Sequence, residues 1–300
     1  MRLRTPLLAV AALALGAGAL LGCEPAGTRY EDQVFAGADV TSDVQYAVAP
    51  DLVTGAPRSL TLDWYEPSGD SSTSRPVVVW IHGGGFRVGS KAATADVAEA
   101  YARRGYVTLS INYRLDPDSR CQDVQDGRIT DPGEYQMERD RCERAILAAQ
   151  HDAQGAIRWA RGNAGLLGID RARIAVGGFS AGAVTAVHVA QRSEDPGDVG
   201  NYDGRVSWVG AGLAASGCNY DPDSIAPGDA PVFLLASEND GAVPFSCVRD
   251  TEARSRAAGI PVGTRYYYDE GTHAKALYLK YQAAVDADWT AFLVKHLDLS

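Results

Sequence analysis

The stretch from Arg173 to Gly182 constrains this chain more than any other. Ile174, Ala175 and Val176 form a short apolar run of the kind found in a strand buried on both faces, and Ala183 to Gln191 carries a helical pattern. Between them stands Gly178-Phe179-Ser180-Ala181-Gly182. A serine set between strand and helix turns the chain so sharply that only glycine fits two residues to either side, and the strain holds the hydroxyl out of the sheet. The helix start that follows points free backbone N–H groups at any negative charge developing there. Such a pentad also arises by chance in a chain with 32 glycines, so its meaning rests on its surroundings.

Upstream, Val77 to Ile81 is an unbroken apolar run that reads as a central parallel strand, and it leads directly into His82-Gly83-Gly84-Gly85-Phe86. Three successive glycines leave backbone N–H groups uncovered, as an anion-binding loop requires. Further strands are expected at Val40 to Val48, Arg58 to Tyr65, Tyr106 to Tyr113, Val206 to Leu213, Pro231 to Ala236 and Val262 to Tyr268. Helices are expected at Thr94 to Arg104, Cys142 to Gly162, Pro244 to Ala258 and Ala274 to Leu297. The first two strands, split by Gly55-Ala56-Pro57, read as an antiparallel pair, and the rest alternate with helices. The fold class is therefore α/β, an eight-stranded mostly parallel sheet with helices on both faces.

A serine hydroxyl is a weak nucleophile unless a base takes its proton, and the base needs an acid to hold its tautomer. In parallel sheets such groups gather at the carboxyl ends of strands. Asp240 follows the Pro231 to Ala236 strand and His273 follows the last strand, so Ser180, Asp240 and His273 occur in the chain order that accompanies a strand-to-helix nucleophile. Glu238 is the rival acid but lies nearer the strand itself. His82 is read as shaping the glycine loop, and His151, His188 and His296 as helix residues with surface or packing roles.

With these residues assembled, the chain resembles an α/β-hydrolase of the carboxylesterase and hormone-sensitive-lipase-like group. The resemblance runs from about Val40 to His296 and rests on Trp80 to Phe86, Asn112-Tyr113-Arg114, the serine pentad, Asp240 and His273. It implies Ser180 as nucleophile, His273 as general base and then acid, Asp240 as its orienting partner, and Gly84, Gly85 and Ala181 as oxyanion donors. It implies hydrolysis of carboxylic esters through an acyl-enzyme, with no cofactor and no metal. A peptidase of the same fold and a binding protein on a hydrolase scaffold are the alternatives. Unlike lipase-like relatives, this sequence has no helical stripe before its first strand with which to build a cap.

Arg2 and Arg4 followed by the apolar run Leu7 to Leu21 read as a secretion signal, and Leu20-Leu21-Gly22-Cys23 resembles the bacterial lipoprotein form, in which the cysteine is lipidated. Residues 1–22 are thus expected to be signal, 23–39 a tether, and 40–300 the catalytic domain, anchored to a membrane outside the cytoplasm through Cys23. Four other cysteines in an oxidising compartment make two disulfides the default. Topology favours Cys121 with Cys142 and Cys218 with Cys247. The Cys121–Cys142 pair would close a polar flap, residues 116–142, inserted over the sheet. The formal charge of -10 and the absence of a basic stripe argue against nucleic acid as a partner. A flap in which charged residues outnumber large apolar ones makes a wet rim, so the expected substrate is a small-molecule or carbohydrate-linked ester with a short acyl chain.

Overall fold

The computed structural model describes residues 27–191, 195, 197–200 and 204–299, so the expected signal segment and Cys23 lie outside the described residues. Strands β1 (Ala38–Pro50) and β2 (Pro57–Pro67) pair antiparallel across the turn at Gly55. The chain continues through β3 (Arg75–Ile81), α1 (Ala95–Ala102) and β4 (Val107–Ile111) to α2 (Cys121–Gln125), α3 (Pro132–Gly162) and α4 (Ala164–Leu167). Next come β5 (Ile169–Phe179), α5 (Ala181–Ala190), β6 (Ala211–Ala215), β7 (Val232–Ser237) and α6 (Phe245–Ala257). Strand β8 (Val262–Tyr267), α7 (Ala274–Lys280) and α8 (Gln282–His296) end the described chain.

All eight strands form one sheet in the order β1-β2-β4-β3-β5-β6-β7-β8. From β4 to β8 every pairing is parallel, and β2 runs against both its neighbours. Strand β3 is buried along its whole length because both faces are covered. Its alternate residues serve opposite layers: Val77, Val79 and Ile81 pack with α3, α5 and α6, while Val78 and Trp80 pack with α1, α7 and α8. Small residues let α3 lie close to the sheet, since Ala145, Ala149, Ala153, Ala156 and Ala160 are all fully buried. On the other face Trp80 stacks on Trp289, with ring centroids 5.9 Å apart, and meets Tyr101 edge-on at 5.0 Å.

Four segments depart from the sequence reading. The described part of the expected tether is docked: Tyr30 N–H donates to Arg104 O at 2.8 Å, Phe35 N–H to Arg103 O at 3.0 Å, and Arg29 pairs with Asp70 at 2.6 Å. The flap is largely helical, with α2 inside it and α3 beginning at Pro132 instead of Cys142. Asp131 caps α3 by accepting the Glu134 N–H at 2.8 Å, and Pro132 suits a first-turn position whose N–H has no helical partner. The strand expected at Val206 to Leu213 is Ala211–Ala215, shifted toward Ser216. The terminal helix is two helices that meet at Tyr281.

Candidate active site

Ser180 stands between β5 and α5 at φ 56° and ψ -122°, a left-handed backbone that a non-glycine residue adopts at a cost of roughly 1–3 kcal/mol. The neighbouring glycines are required by close approach. A Cβ on Gly178 would lie 2.2 Å from the Gly182 carbonyl oxygen, and one on Gly182 would lie 2.2 Å from the Ile81 carbonyl oxygen. The serine turn is thus wedged against the end of β3.

The three residues singled out from chain order meet in a hydrogen-bonded row. His273 Nε2 lies 2.8 Å from Ser180 Oγ, and His273 Nδ1 lies 2.9 Å and 2.8 Å from the two carboxylate oxygens of Asp240. A carboxylate accepts only, so Nδ1 carries the proton and Nε2 is left to accept from the serine hydroxyl. Asp240 is fixed by the turn after β7, its Oδ1 accepting the N–H groups of Ala242 at 2.8 Å and Val243 at 3.1 Å. Burial pushes its carboxyl up, but hydrogen bonds from His273, the Ser216 hydroxyl and Ala242 outweigh burial and hold it below the usual aspartate value. Glu238, the rival, points elsewhere and accepts the Asp269 N–H at 3.1 Å.

The loop carrying His273 is braced from below. Glu270 accepts from Gly271 N–H at 3.0 Å, Thr272 N–H at 2.9 Å and the Tyr281 hydroxyl at 3.0 Å, and it pairs with Lys280. Its hydrogen bond with Lys280, together with those from Thr272, holds the Glu270 carboxyl well below the ordinary range. Ser237 ties the same loop to β7 by donating to the Thr272 carbonyl at 2.7 Å. Sequence reasoning missed Ser216, which lies just past β6, meets Asp240 and accepts the Ala274 N–H at 2.9 Å. Its place at a parallel-strand carboxyl end was the available signal.

Gly84, Gly85 and Ala181 line the same cavity as Ser180, a space of about 1040 Å³ roofed by α2 and walled by α3. Gly84 takes φ 121°, and a Cβ there would lie 1.9 Å from the Val88 carbonyl oxygen, so the loop backbone stays bare. His82 supports this loop: it donates from Nδ1 to the Gly83 carbonyl at 2.7 Å and stacks on Tyr113 at 4.3 Å. Burial pulls its pKa down, which favours the neutral ring. Arg114, from the Asn112-Tyr113-Arg114 motif, is a buried strut away from the cavity, bonded to Asp152 at 3.0 Å and 3.1 Å and doubly to Asp198 at 2.7 Å. His151 joins that cluster through Asp195 at 3.0 Å, and His188 on α5 accepts the Tyr220 N–H at 3.2 Å.

Cys121 is bonded to Cys142, both lining the cavity, and Cys218 to Cys247, the pairing that topology favoured. Among the described residues no group of three or more His, Cys, Asp or Glu is arranged to hold a metal ion.

A mostly parallel eight-stranded sheet flanked by helices, with a strained serine at the β5–α5 turn, defines an α/β-hydrolase fold. A family model described as alpha/beta hydrolase fold matches residues 139–224, and one described as BD-FAE matches residues 62–128. The sequence is 35% identical over 133 residues to the phenmedipham hydrolase of Pseudarthrobacter oxydans, covering 44% of this chain and 23% of that one. It is 28% identical over 204 residues to the carboxylesterase NlhH of Mycobacterium tuberculosis, covering 55% and 56%. The chain therefore matches less than two thirds of the length of these relatives. Among solved structures, a thermophilic esterase of Thermogutta terrifontis, Est2, superposes with a TM-score of 0.64 at 20% identity, covering 87% of this chain and 92% of that one.

Proposed function

We propose that the chain is a serine hydrolase that cleaves carboxylic esters through an acyl-enzyme. The observation that carries this reading is the hydrogen-bonded row Ser180–His273–Asp240 at the carboxyl ends of β5, β7 and β8. In the proposed cycle Ser180 Oγ attacks the ester carbonyl carbon while its proton passes to His273 Nε2. Asp240 then faces an imidazolium it is placed to stabilise. The N–H groups of Gly84, Gly85 and Ala181 would meet the oxyanion of the tetrahedral intermediate. Its collapse breaks the carbon–oxygen bond, and His273 delivers the proton to the departing alcohol. Water repeats the sequence with roles reversed, freeing the acid and restoring Ser180. Relatives that are themselves a carboxylesterase and an esterase support the ester over the amide substrate.

The substrate we infer is a short-chain acyl ester, acetyl to butyryl, on a small-molecule or carbohydrate alcohol. The charged residues of the cavity roof and wall, Arg120, Asp123, Arg139 and Glu143, support this reading because they keep the mouth wet. One experiment tests it: kcat/KM across p-nitrophenyl acetate, butyrate, octanoate, laurate and palmitate, with the Ser180→Ala variant beside the wild type. The expected result is a maximum at acetate or butyrate and a loss of about 10⁴ or more in the variant. Labelling of Ser180 by an organophosphonate accompanies it. Ordinary turnover in folded Ser180→Ala ends the assignment, and a laurate optimum ends the short-chain claim.

The reading extends to location. We propose that residues 1–22 are a lipoprotein-type signal and that Cys23 carries lipid, tethering the enzyme to a membrane outside the cytoplasm, where its disulfides persist. Mass spectrometry of the mature N-terminus from the native host should find acylated Cys23. A mature chain beginning at another residue contradicts this.

A further inference from the structure

The roof of the cavity is held in an unequal way. Helix α2 is five residues long and has no buried residue, yet Cys121, Gln122, Asp123, Val124 and Gln125 all face the cavity that contains Ser180. Its residues are only partly buried, with Cys121 packed against the core, so it gains little from packing, and so short a helix is marginal by itself. Its ion pairs are those of Asp123 with Arg120 at 2.8 Å and with Arg128 at 3.0 Å, and Arg120, its capping residue, also pairs with Glu134 on α3; all are partly exposed and so of little weight. At its far end Gln125 contacts Tyr220, which lines the same cavity.

The strong tie is covalent. Cys121, the first residue of α2, is bonded to Cys142, whose side chain lies on α3 one turn before the cavity-lining Ile146. Cys142 is 8% exposed and packs with Ala145 and Ile146 in the core layer under the sheet face, so one end of the bond is immobile. The bond therefore fixes how far α2 stands from the wall of α3, and through that how much room lies above Ser180. We propose that the Cys121–Cys142 disulfide is a specificity-determining element of the site, limiting acyl length by holding α2 down, with the Gln125–Tyr220 contact closing the far end. The inference rests on the ester-hydrolase reading.

The test compares the full-length wild type with a Cys121→Ala/Cys142→Ala double variant and with Gln125→Ala, which keeps the disulfide. Readouts are kcat/KM for p-nitrophenyl butyrate and laurate and labelling of Ser180 by a small organophosphonate. In the double variant butyrate should fall about threefold as contacts loosen, while laurate rises about tenfold, the gain from burying roughly two more methylenes. In Gln125→Ala the laurate-to-butyrate ratio should rise several-fold, and this variant carries the test if the double variant does not fold. A ratio within about twofold of wild type in a labelled, folded variant overturns the inference alone. Absence of both turnover and labelling in the wild type overturns the hydrolase reading and this inference with it.

Discussion

Ser180 in the hydrogen-bonded row and Ser216 and Ala274 beside it stand at φ 56°, 53° and 47°, and Phe86 in the glycine loop stands at 62°. Each such residue costs roughly 1–3 kcal/mol, so part of the chain's backbone strain lies where side chains must be aimed and is offset by the buried sheet beneath. Asp240 shows the same exchange in electrostatic form. Its carboxyl is held below the usual value in the folded chain, so the fold binds that proton less readily than the unfolded chain does. The sign follows: its contribution to stability is present above the ordinary aspartate range and is lost as pH falls through and below it. Asp240→Asn should lower kcat by about 10⁴, because the amide can donate to His273 and favour the wrong tautomer. The urea midpoint of the wild type should exceed that of the variant at about pH 6, with the gap narrowing toward about pH 3. A gap that does not change with pH contradicts the assignment.

Among the elements, α3 carries the most varied duties: its later turns fill the core with alanines, and its earlier turns, from Pro132 on, form a cavity wall. The core half was legible because Ile146, Ala149, Ala153, Ile157 and Ala160 repeat at helical spacing. The first ten residues were not, because Glu134, Gln136, Arg139 and Asp140 are exposed and leave no apolar stripe to read. What starts the helix there is a local cap. Asp131→Ala should therefore cost about 1 kcal/mol. The measurement is urea unfolding together with amide exchange, which should speed up in the 133–137 turn first. Unchanged exchange there would show that the disulfide alone holds this end.

At the scale of the whole molecule, the sheet and the hydrogen-bonded row were legible because parallel strands gather polar groups at their carboxyl ends, so the meeting of Ser180, Asp240 and His273 could be read from strand order alone. Contacts that depend on side chains meeting across long gaps were not. Nothing in the sequence pairs Arg29 with Asp70, Arg104 with Asp286 or Ser216 with Asp240. The docked stretch before β1 was misread for this reason, since it is tied down by long-range contacts, the Arg29–Asp70 pair and the Arg103 and Arg104 side chains beside main-chain bonds past the end of α1, and not by a pattern of its own.

Strand order also bears on how the chain comes to be. Strand β3, buried at every position, gains its β4 neighbour early, but its other edge waits for β5, whose Ile174 partners Val77 roughly a hundred residues later. At ordinary rates of synthesis that is on the order of 5–20 s during which Val77 to Ile81 offers an open, strongly apolar edge. Newborn copies therefore pass through a sticky adolescence, and the yield of this protein in any host depends on holding them apart until β5 arrives.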